Sequence, residues 1–232
     1  MNQSGTIIIT GATGNLGRAV TQKILDSGYK VIATKEPADP FEFEDNSALT
    51  LQAIDLMDEA AVYEWVKHTS EMEGKIAAGV LLVGGFAMGD LEKTSGEDLR
   101  KLYRLNFLTA YYIVRPLVEA FKKRGEGGQI FLISARPALQ PEDGVGMVSY
   151  ALSKSLLFRL AEIINASDKT HRIRASVIVP GIIDTPANRA AMPDADPDDW
   201  APPERIAEAI AYLLSDSGRM LCEPVFKVYN RS

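Results

Sequence analysis

The sequence predicts an α/β domain: one doubly wound parallel sheet of about seven strands with helices on both faces. Three observations carry that prediction. Apolar, β-rich runs alternate with segments of helical periodicity along the chain. The first run, Thr6-Ile-Ile-Ile-Thr10, leads into the turn Gly11-Ala-Thr-Gly14-Asn15-Leu16-Gly17 and then an amphipathic stretch from Arg18 to Leu25, so strand, glycine turn and helix follow directly. The 232 residues suffice for one such domain with a sizeable core, and no linker or internal repeat divides them. A single domain over 1–232 is expected.

Taken in order, the strands are expected at 6–10, 30–34, 50–54, 79–83, 129–134, 174–179 and 225–228, each an apolar or β-branched run too short for a helix. Helices are expected in the gaps. The longest, over 96–124, continues through Pro116 with at most a kink. Two Pro-rich stretches, 37–40 and 186–203, read as loops. The second exceeds an ordinary connection, and its apolar Met192 and Trp200 among the acids Asp194, Asp196, Asp198 and Asp199 suit a lid over substrate. A surface loop anchored by one buried tryptophan has the same composition.

Charge and cysteine usage narrow the function. A net charge of −6 leaves no basic stripe for nucleic acid. Cys222 stands alone and the only histidines are His68 and His171, so neither a disulfide framework nor a metal site is expected. The N-terminus lacks the basic flank and apolar core of a signal peptide, and the apolar run around 76–88 is broken by glycines and too short for a bilayer. No membrane partner and a cytoplasmic location are therefore expected.

Chemistry is concentrated at Tyr150 and Lys154. Four residues apart on a helix, they share a face, and an ammonium beside a phenol favours proton transfer nearer neutrality than the ordinary value of about 10. Tyr63 and Lys67 repeat the interval, so context must decide. In open α/β sheets ligands sit beyond the carboxyl ends of the strands. Tyr150 follows the fifth strand near the sheet centre, whereas Tyr63 follows the third at the periphery, as a structural or surface residue. The glycine turn suits a dinucleotide pyrophosphate, although alone it is equally a tight connection without ligand. Asp55-Leu56, Gly84-Gly85-Phe86, Ser134-Ala135-Arg136 and Pro180-Gly181-Ile182-Ile183-Asp184-Thr185 close the third to sixth strands at the same edge.

In this order, the glycine turn with Thr13, Asp55, Asn106, the Tyr150 and Lys154 pair, and Pro180-Gly181 with Thr185 resemble the short-chain dehydrogenase/reductase family over nearly the whole chain. The resemblance implies a Rossmann-like fold in which Tyr150 exchanges a proton with substrate, Lys154 also holds the nicotinamide ribose, and Asn106 supports a proton-relay water. It also implies cofactor contacts from Gly11, Thr13, Gly14, Asn15, Leu16, Gly17, Thr34, Lys35, Asp55, Leu56, Gly84, Gly85, Tyr150, Lys154, Pro180, Gly181, Ile183 and Thr185. Read without it, Asn106 is a satisfied polar residue within a helix and Thr185 a turn or helix cap.

Two departures sharpen the comparison. Leu82-Val83-Gly84 takes the place of the family's Asn-Ala-Gly, and Ala135 the place of its catalytic serine, so either Ser134 is rotated into service or the substrate does not need that hydrogen bond. The second reading is favoured, because dihydropteridine reductases, a branch of the family, share the alanine and a Gly-Gly-aromatic after the fourth strand. Segments 135–139, 144–148 and 184–200 are similar to theirs, which implies Ala135, Phe86, Met192 and Trp200 as substrate contacts. Asn106 is foreign to that branch, as is the lack of an NADH-selecting acid at the end of the second strand. Ala33-Thr34-Lys35 there favours NADPH over NADH, with Glu36 as ribose partner if the strand ends one residue later and Lys35 otherwise a solvated loop lysine. The expected activity is reduction of a small molecule, quinonoid dihydropteridine first. A carbonyl or 3-oxo reductase and a non-catalytic dinucleotide sensor remain alternatives, the sensor disfavoured by retention of Tyr150 and Lys154. Family resemblance also implies a homodimer or homotetramer pairing the long helices, with Leu102, Phe107, Tyr111, Leu156 and Phe158 as candidate contacts.

Overall fold

All five residues of the first strand, β1 (Thr6–Thr10), are buried without alternation, as happens when helices cover both faces of a sheet. A computed structural model describes residues 5–167, 170–221 and 223–231; Cys222 lies outside the described residues. Seven strands, β1, β2 (Lys30–Lys35), β3 (Leu49–Ala53), β4 (Ile76–Leu81), β5 (Gly128–Ile133), β6 (Ile173–Pro180) and β7 (Val225–Val228), form one sheet in the order β3-β2-β1-β4-β5-β6-β7. Every pairing is parallel. The order reverses between β1 and β4, which opens the crevice where a doubly wound sheet takes its ligand.

Side-chain alternation along β1 divides the core. Ile8 packs on the face covered by α2 (Glu59–Met72), α4 (Thr109–Arg124) and α6 (Val148–Ser167), with Val62, Leu117 and Leu157 among its neighbours. Ile7 and Ile9 pack on the other face with Val20 of α1 (Asn15–Asp26) and Ile206 and Ile210 of α8 (Pro203–Leu214). Each such aliphatic side chain contributes about 1.5–3 kcal/mol of burial free energy, so the glycine turn and strand ends rest on a rigid layer.

Expected strand 79–83 begins earlier, at Ile76, and stops at Leu81, leaving 82–86 free to form the crevice wall. The expected helix over 96–124 is continuous but not uniform. It comprises α3 (Gly96–Tyr103), started by a capping box between Ser95 and Asp98, a π turn at Arg104–Leu108, and α4, which carries Pro116 in its interior.

Of the two Pro-rich stretches expected as loops, 37–40 is one and 186–203 is not. No helix joins β2 to β3; residues 36–48 form a strap, since Pro37 and Pro40 cannot donate the backbone hydrogen bonds that would propagate a helix. The stretch 186–203 is largely structured. Thr185 caps α7 (Pro186–Ala191) by accepting from Asn188 N at 3.2 Å, Pro186 occupies the position where a missing N–H costs nothing, and a 3₁₀ turn at Pro197–Asp199 precedes a bridge between Ala201 and Ile183. A single turn, α5 (Pro141–Gly144), precedes α6, and no helix among the described residues is long and apolar enough to cross a membrane.

Candidate active site

The glycine turn sits where β1 meets α1, and each glycine there has a separate reason. Gly11 has a φ of +66°, which disfavours a side chain, and a Cβ on Gly17 would come within 2.7 Å of the Ala12 Cα. Gly14 instead is exposed, with only Gly11 O near a hypothetical Cβ at 3.5 Å. Thus two glycines close the turn on itself and the third leaves its outer side open beside Asn15, Leu16 and the N-terminus of α1, as phosphate approach requires. A cleft continues from Gly11 and Thr13 along Thr34, Lys35 and Glu36 to Leu56, Val83 and Thr109. Asp55, exposed at its rim, turns back to accept from Met57 N at 2.8 Å.

At the centre of the crevice Gly84 and Gly85 meet Asn106. The Asn106 side chain, buried within the π turn, accepts from Gly85 N at 2.6 Å and donates to Gly85 O at 3.1 Å and Ser153 Oγ at 2.9 Å. Ser153 in turn donates to Tyr150 O at 2.9 Å. Asn106 therefore clamps the wall after β4 to the first turns of α6. Ser153 is a member of this clamp that the sequence reading missed; its only signal was its place between Tyr150 and Lys154.

Lys154 is 5% exposed and donates to Ile133 O at 2.8 Å, the one bond described for its three ammonium protons. A Cβ on Gly84 would lie 2.8 Å from this ammonium and 2.9 Å from Asn106 Oδ1. The absence of a side chain there keeps Lys154 open to the crevice. Burial lowers the Lys154 pKa from 10.5 to about 8, and the group stays mostly protonated at neutral pH. Tyr150 stands edge-to-face with Phe86, ring centroids 5.0 Å apart, and burial pushes its pKa up to about 12. The phenol lowered by lysine that the spacing suggested is not what this structure holds. Desolvation prevails, and Tyr150 keeps its proton, the form a proton donor needs.

Ser134 is not available as a substitute for the missing serine. It is 2% exposed, and its hydroxyl donates to Lys154 O at 3.0 Å, so it braces α6. Ala135, also buried, follows it at the head of β5. Phe86, Met88 and Val145 are exposed around the mouth, and the loops bearing them are joined by Gly89 N to Gly146 O at 2.8 Å and Val148 N to Gly89 O at 2.9 Å. Beyond β6, Gly181 N donates to Val228 O at 3.2 Å, closing Pro180 and Gly181 onto the neighbouring strand, and the Ile183 carbonyl accepts from Asn188 Nδ2 at 2.8 Å. Met192 is half-buried at the end of α7, whereas Trp200 is 2% exposed and its carbonyl accepts from Asn230 at 3.1 Å. That places Trp200 as the anchor of its segment rather than on an accessible flap.

Lys35 also departs from expectation. Neither solvated nor free, its ammonium donates to Phe41 O at 3.0 Å and pairs with Glu42 at 2.5 Å. The decoy pair faces another helix: the Tyr63 hydroxyl donates to Glu119 Oε2 of α4 at 2.7 Å.

Glycine turn, Asn106, Tyr150 and Lys154 thus meet along one crevice in the order the sequence resemblance implied, and residues 5–196 match the short chain dehydrogenase family. The chain belongs to that family. Among curated short-chain relatives, an uncharacterized oxidoreductase of Schizosaccharomyces pombe is 26% identical over 78% of this chain, which spans 61% of that protein's length. An acetoacetyl-CoA reductase of Acinetobacter is 24% identical, with 94% of this chain and 93% of the relative covered. The fold is shared with ElxO, solved with NADP bound, at a TM-score of 0.84 and 19% identity over 97% of both chains.

Proposed function

We propose that this chain is an NAD(P)H-dependent reductase that prefers NADPH and takes quinonoid dihydropteridine as its substrate. The observation that carries the reductase reading is the buried Lys154 ammonium facing the space left by Gly84, one helical turn along α6 from Tyr150. The residues fit a nicotinamide dinucleotide: an open glycine at the start of α1, a cleft along the β2 and β3 ends, and a buried cation with unused donors. When bound, the dinucleotide supplies hydride. Gly14 and the first N–H groups of α1 accommodate its pyrophosphate. Lys154 would donate to the ribose hydroxyls of a bound dinucleotide, and its charge would steady negative charge that develops on the Tyr150 oxygen as the proton leaves. Asn106 positions this pair through Ser153 and Gly85. Phe86 packs edge-to-face on the Tyr150 ring and helps fix its orientation.

The pterin assignment draws support from what is missing. A simple ketone gains from a hydroxyl beside the tyrosine that holds its carbonyl, whereas here Ala135 offers none and the Ser134 hydroxyl is consumed by Lys154 O. A conjugated ring needs a flat apolar mouth instead, and Phe86, Met88 and Val145 provide apolar surface around it. The sequence likeness over 184–200 points to the same substrate. NADPH is favoured because Lys35 ends β2 on the cleft and because the ElxO structure was obtained with NADP; β2 runs one residue beyond the expected 34, so Glu36, which also lines the cleft, is the competing ribose partner that would favour NADH. A 3-oxo reductase is the second reading, favoured by the acetoacetyl-CoA reductase relative. Turnover of quinonoid dihydropterin and of simple ketones and 3-oxoacyl thioesters, each with NADH and NADPH, distinguishes them. Reduction of the thioester alone overturns the pterin assignment; no oxidation of either cofactor with any substrate overturns the reductase.

A further inference from the structure

The strap 36–48 that replaces the β2–β3 helix folds against the glycine turn and brings two cations and two carboxylates together. The Lys35 side chain is 12% exposed while its partner Glu42 is 72% exposed, so the pair runs from the cleft wall to solvent. Arg18 Nε donates to Thr13 O at 2.7 Å, and its guanidinium carbon lies 4.2 Å from the centroid of Phe41, next to Glu42 on the strap. Asp39 accepts from Phe41 N at 2.9 Å and from the Thr13 hydroxyl. The Thr13 hydroxyl, then the Phe41 N–H, hold its carboxyl below the usual range, and the charges of Lys35 and Arg18 act in the same direction. Thr13 and Lys35 both line the cleft, so both carboxylates are bonded to groups on a candidate cofactor path.

The carboxylate end of the Lys35–Glu42 pair is open to solvent, which makes it the exchangeable partner. A phosphate dianion, with more charge and more acceptor oxygens, competes well for the same donors. We propose that Asp39 and Glu42 are internal stand-ins for the 2′-phosphate of NADPH: they neutralise Lys35 and Arg18 and engage Thr13 when no phosphate is present, a 2′-phosphate binds by displacing them, and Glu42 thereby sets the cofactor preference. NADH carries no anion at that position and leaves the strap in place. The proposal deepens the dinucleotide reading and rests on it.

Binding of adenosine fragments tests the strap without any turnover. Titration calorimetry compares 2′,5′-ADP with 5′-AMP, and NADPH with NADH, on the unmodified chain, Glu42→Gln and Glu44→Gln. Glu44 is exposed on the same strap and changes net charge equally. Glu42→Gln is expected to tighten 2′,5′-ADP and NADPH about two- to fivefold, on the scale of an exposed pair, and to leave 5′-AMP and NADH within error. Glu44→Gln is expected to change none of them. An unchanged or weakened 2′-phosphate ligand in Glu42→Gln, or equal tightening in both variants, overturns the strap proposal while the dinucleotide reading stands. Failure of all four ligands to bind any variant overturns the dinucleotide reading and the proposal with it.

Discussion

At the scale of residues, two tyrosine–lysine pairs of identical spacing lie in opposite environments. Tyr63 gives its proton to a hydrogen bond with Glu119 under the Arg115 guanidinium, on the surface, and Lys67 is exposed. Tyr150 is held against Phe86, one helical turn before the buried Lys154. Tyr150→Phe is expected to lower kcat by about 10²-fold or more while dinucleotide affinity is kept, since the general acid alone is removed, and Tyr63→Phe to leave both unchanged. Steady-state kinetics with any accepted substrate decide this, and near-normal turnover by Tyr150→Phe defeats the mechanism. Lys154 adds a pH dependence with a definite sign. Its folded-state pKa is depressed, so its charge, and with it support for the departing proton, is lost as pH rises through about 8. Reductase kcat/KM is expected to fall above that value. The fold responds in the other direction: below about 8 the buried charge burdens the native state in full, and between about 8 and 10.5 the unfolded chain binds the extra proton, so this residue's contribution to stability improves as pH rises. Urea unfolding of the unmodified chain and Lys154→Met across that window checks the sign; a constant difference between the two contradicts the depressed pKa.

Elements show where tertiary contacts override local signals. The segment leading to Trp200 has the composition of a lid, yet the indole is buried and the C-terminal tail fastens its base through Asn230 to Asp198 O and Arg231 N to Asp199 O. Trp200→Ala is expected to cost about 3–5 kcal/mol in denaturant unfolding, as a cavity in a packed site does. A loss below 1 kcal/mol with altered substrate KM returns Trp200 to the substrate side. Much of this architecture is legible in the sequence. Apolar and β-branched runs locate all seven strands, though β4 begins at Ile76 rather than 79, and the Thr6–Thr10 run with its glycine turn marks the expected cofactor end. What escapes is set by distant partners. The π turn at Arg104–Leu108 contains the Asn106 amide bound to Gly85, 21 residues away in sequence, and no helical periodicity announces it. Ser134 reads in sequence as a candidate, though disfavoured, replacement for the missing serine until its hydroxyl is found on Lys154 O, 20 residues on. α7 is a different kind of miss: Thr185-Pro186 is a local cap and helix-start signal, obscured by four further prolines in the same stretch.

The whole molecule presents apolar surface that its own core does not use. Leu102, expected at an interface, is buried, and Phe107 and Phe158 are partly buried against the core, so these three serve the subunit's interior. Other residues take their place outside. Leu99, Tyr103 and Tyr111 are exposed along α3 and α4, where Tyr103, Phe107 and Tyr111 stack with centroids 5.4 and 6.0 Å apart. On the adjacent α6, Leu152, Leu156 and Ile163 are exposed at a spacing that places them along one stripe. Two neighbouring helices with outward apolar stripes are costly to leave in water, and a two-fold axis across them lets each copy cover the other. At least a dimer is therefore expected in solution. Because the stripe lies on α6 opposite the side chains that pack beneath it, Leu152→Glu with Ile163→Glu is expected to leave the fold intact and shift the population toward monomer. Light scattering across a hundredfold concentration range reads both species, and circular dichroism checks that the variant is folded. A concentration-independent monomer for the unmodified chain rejects the interface; a folded double variant that stays dimeric moves it to another face.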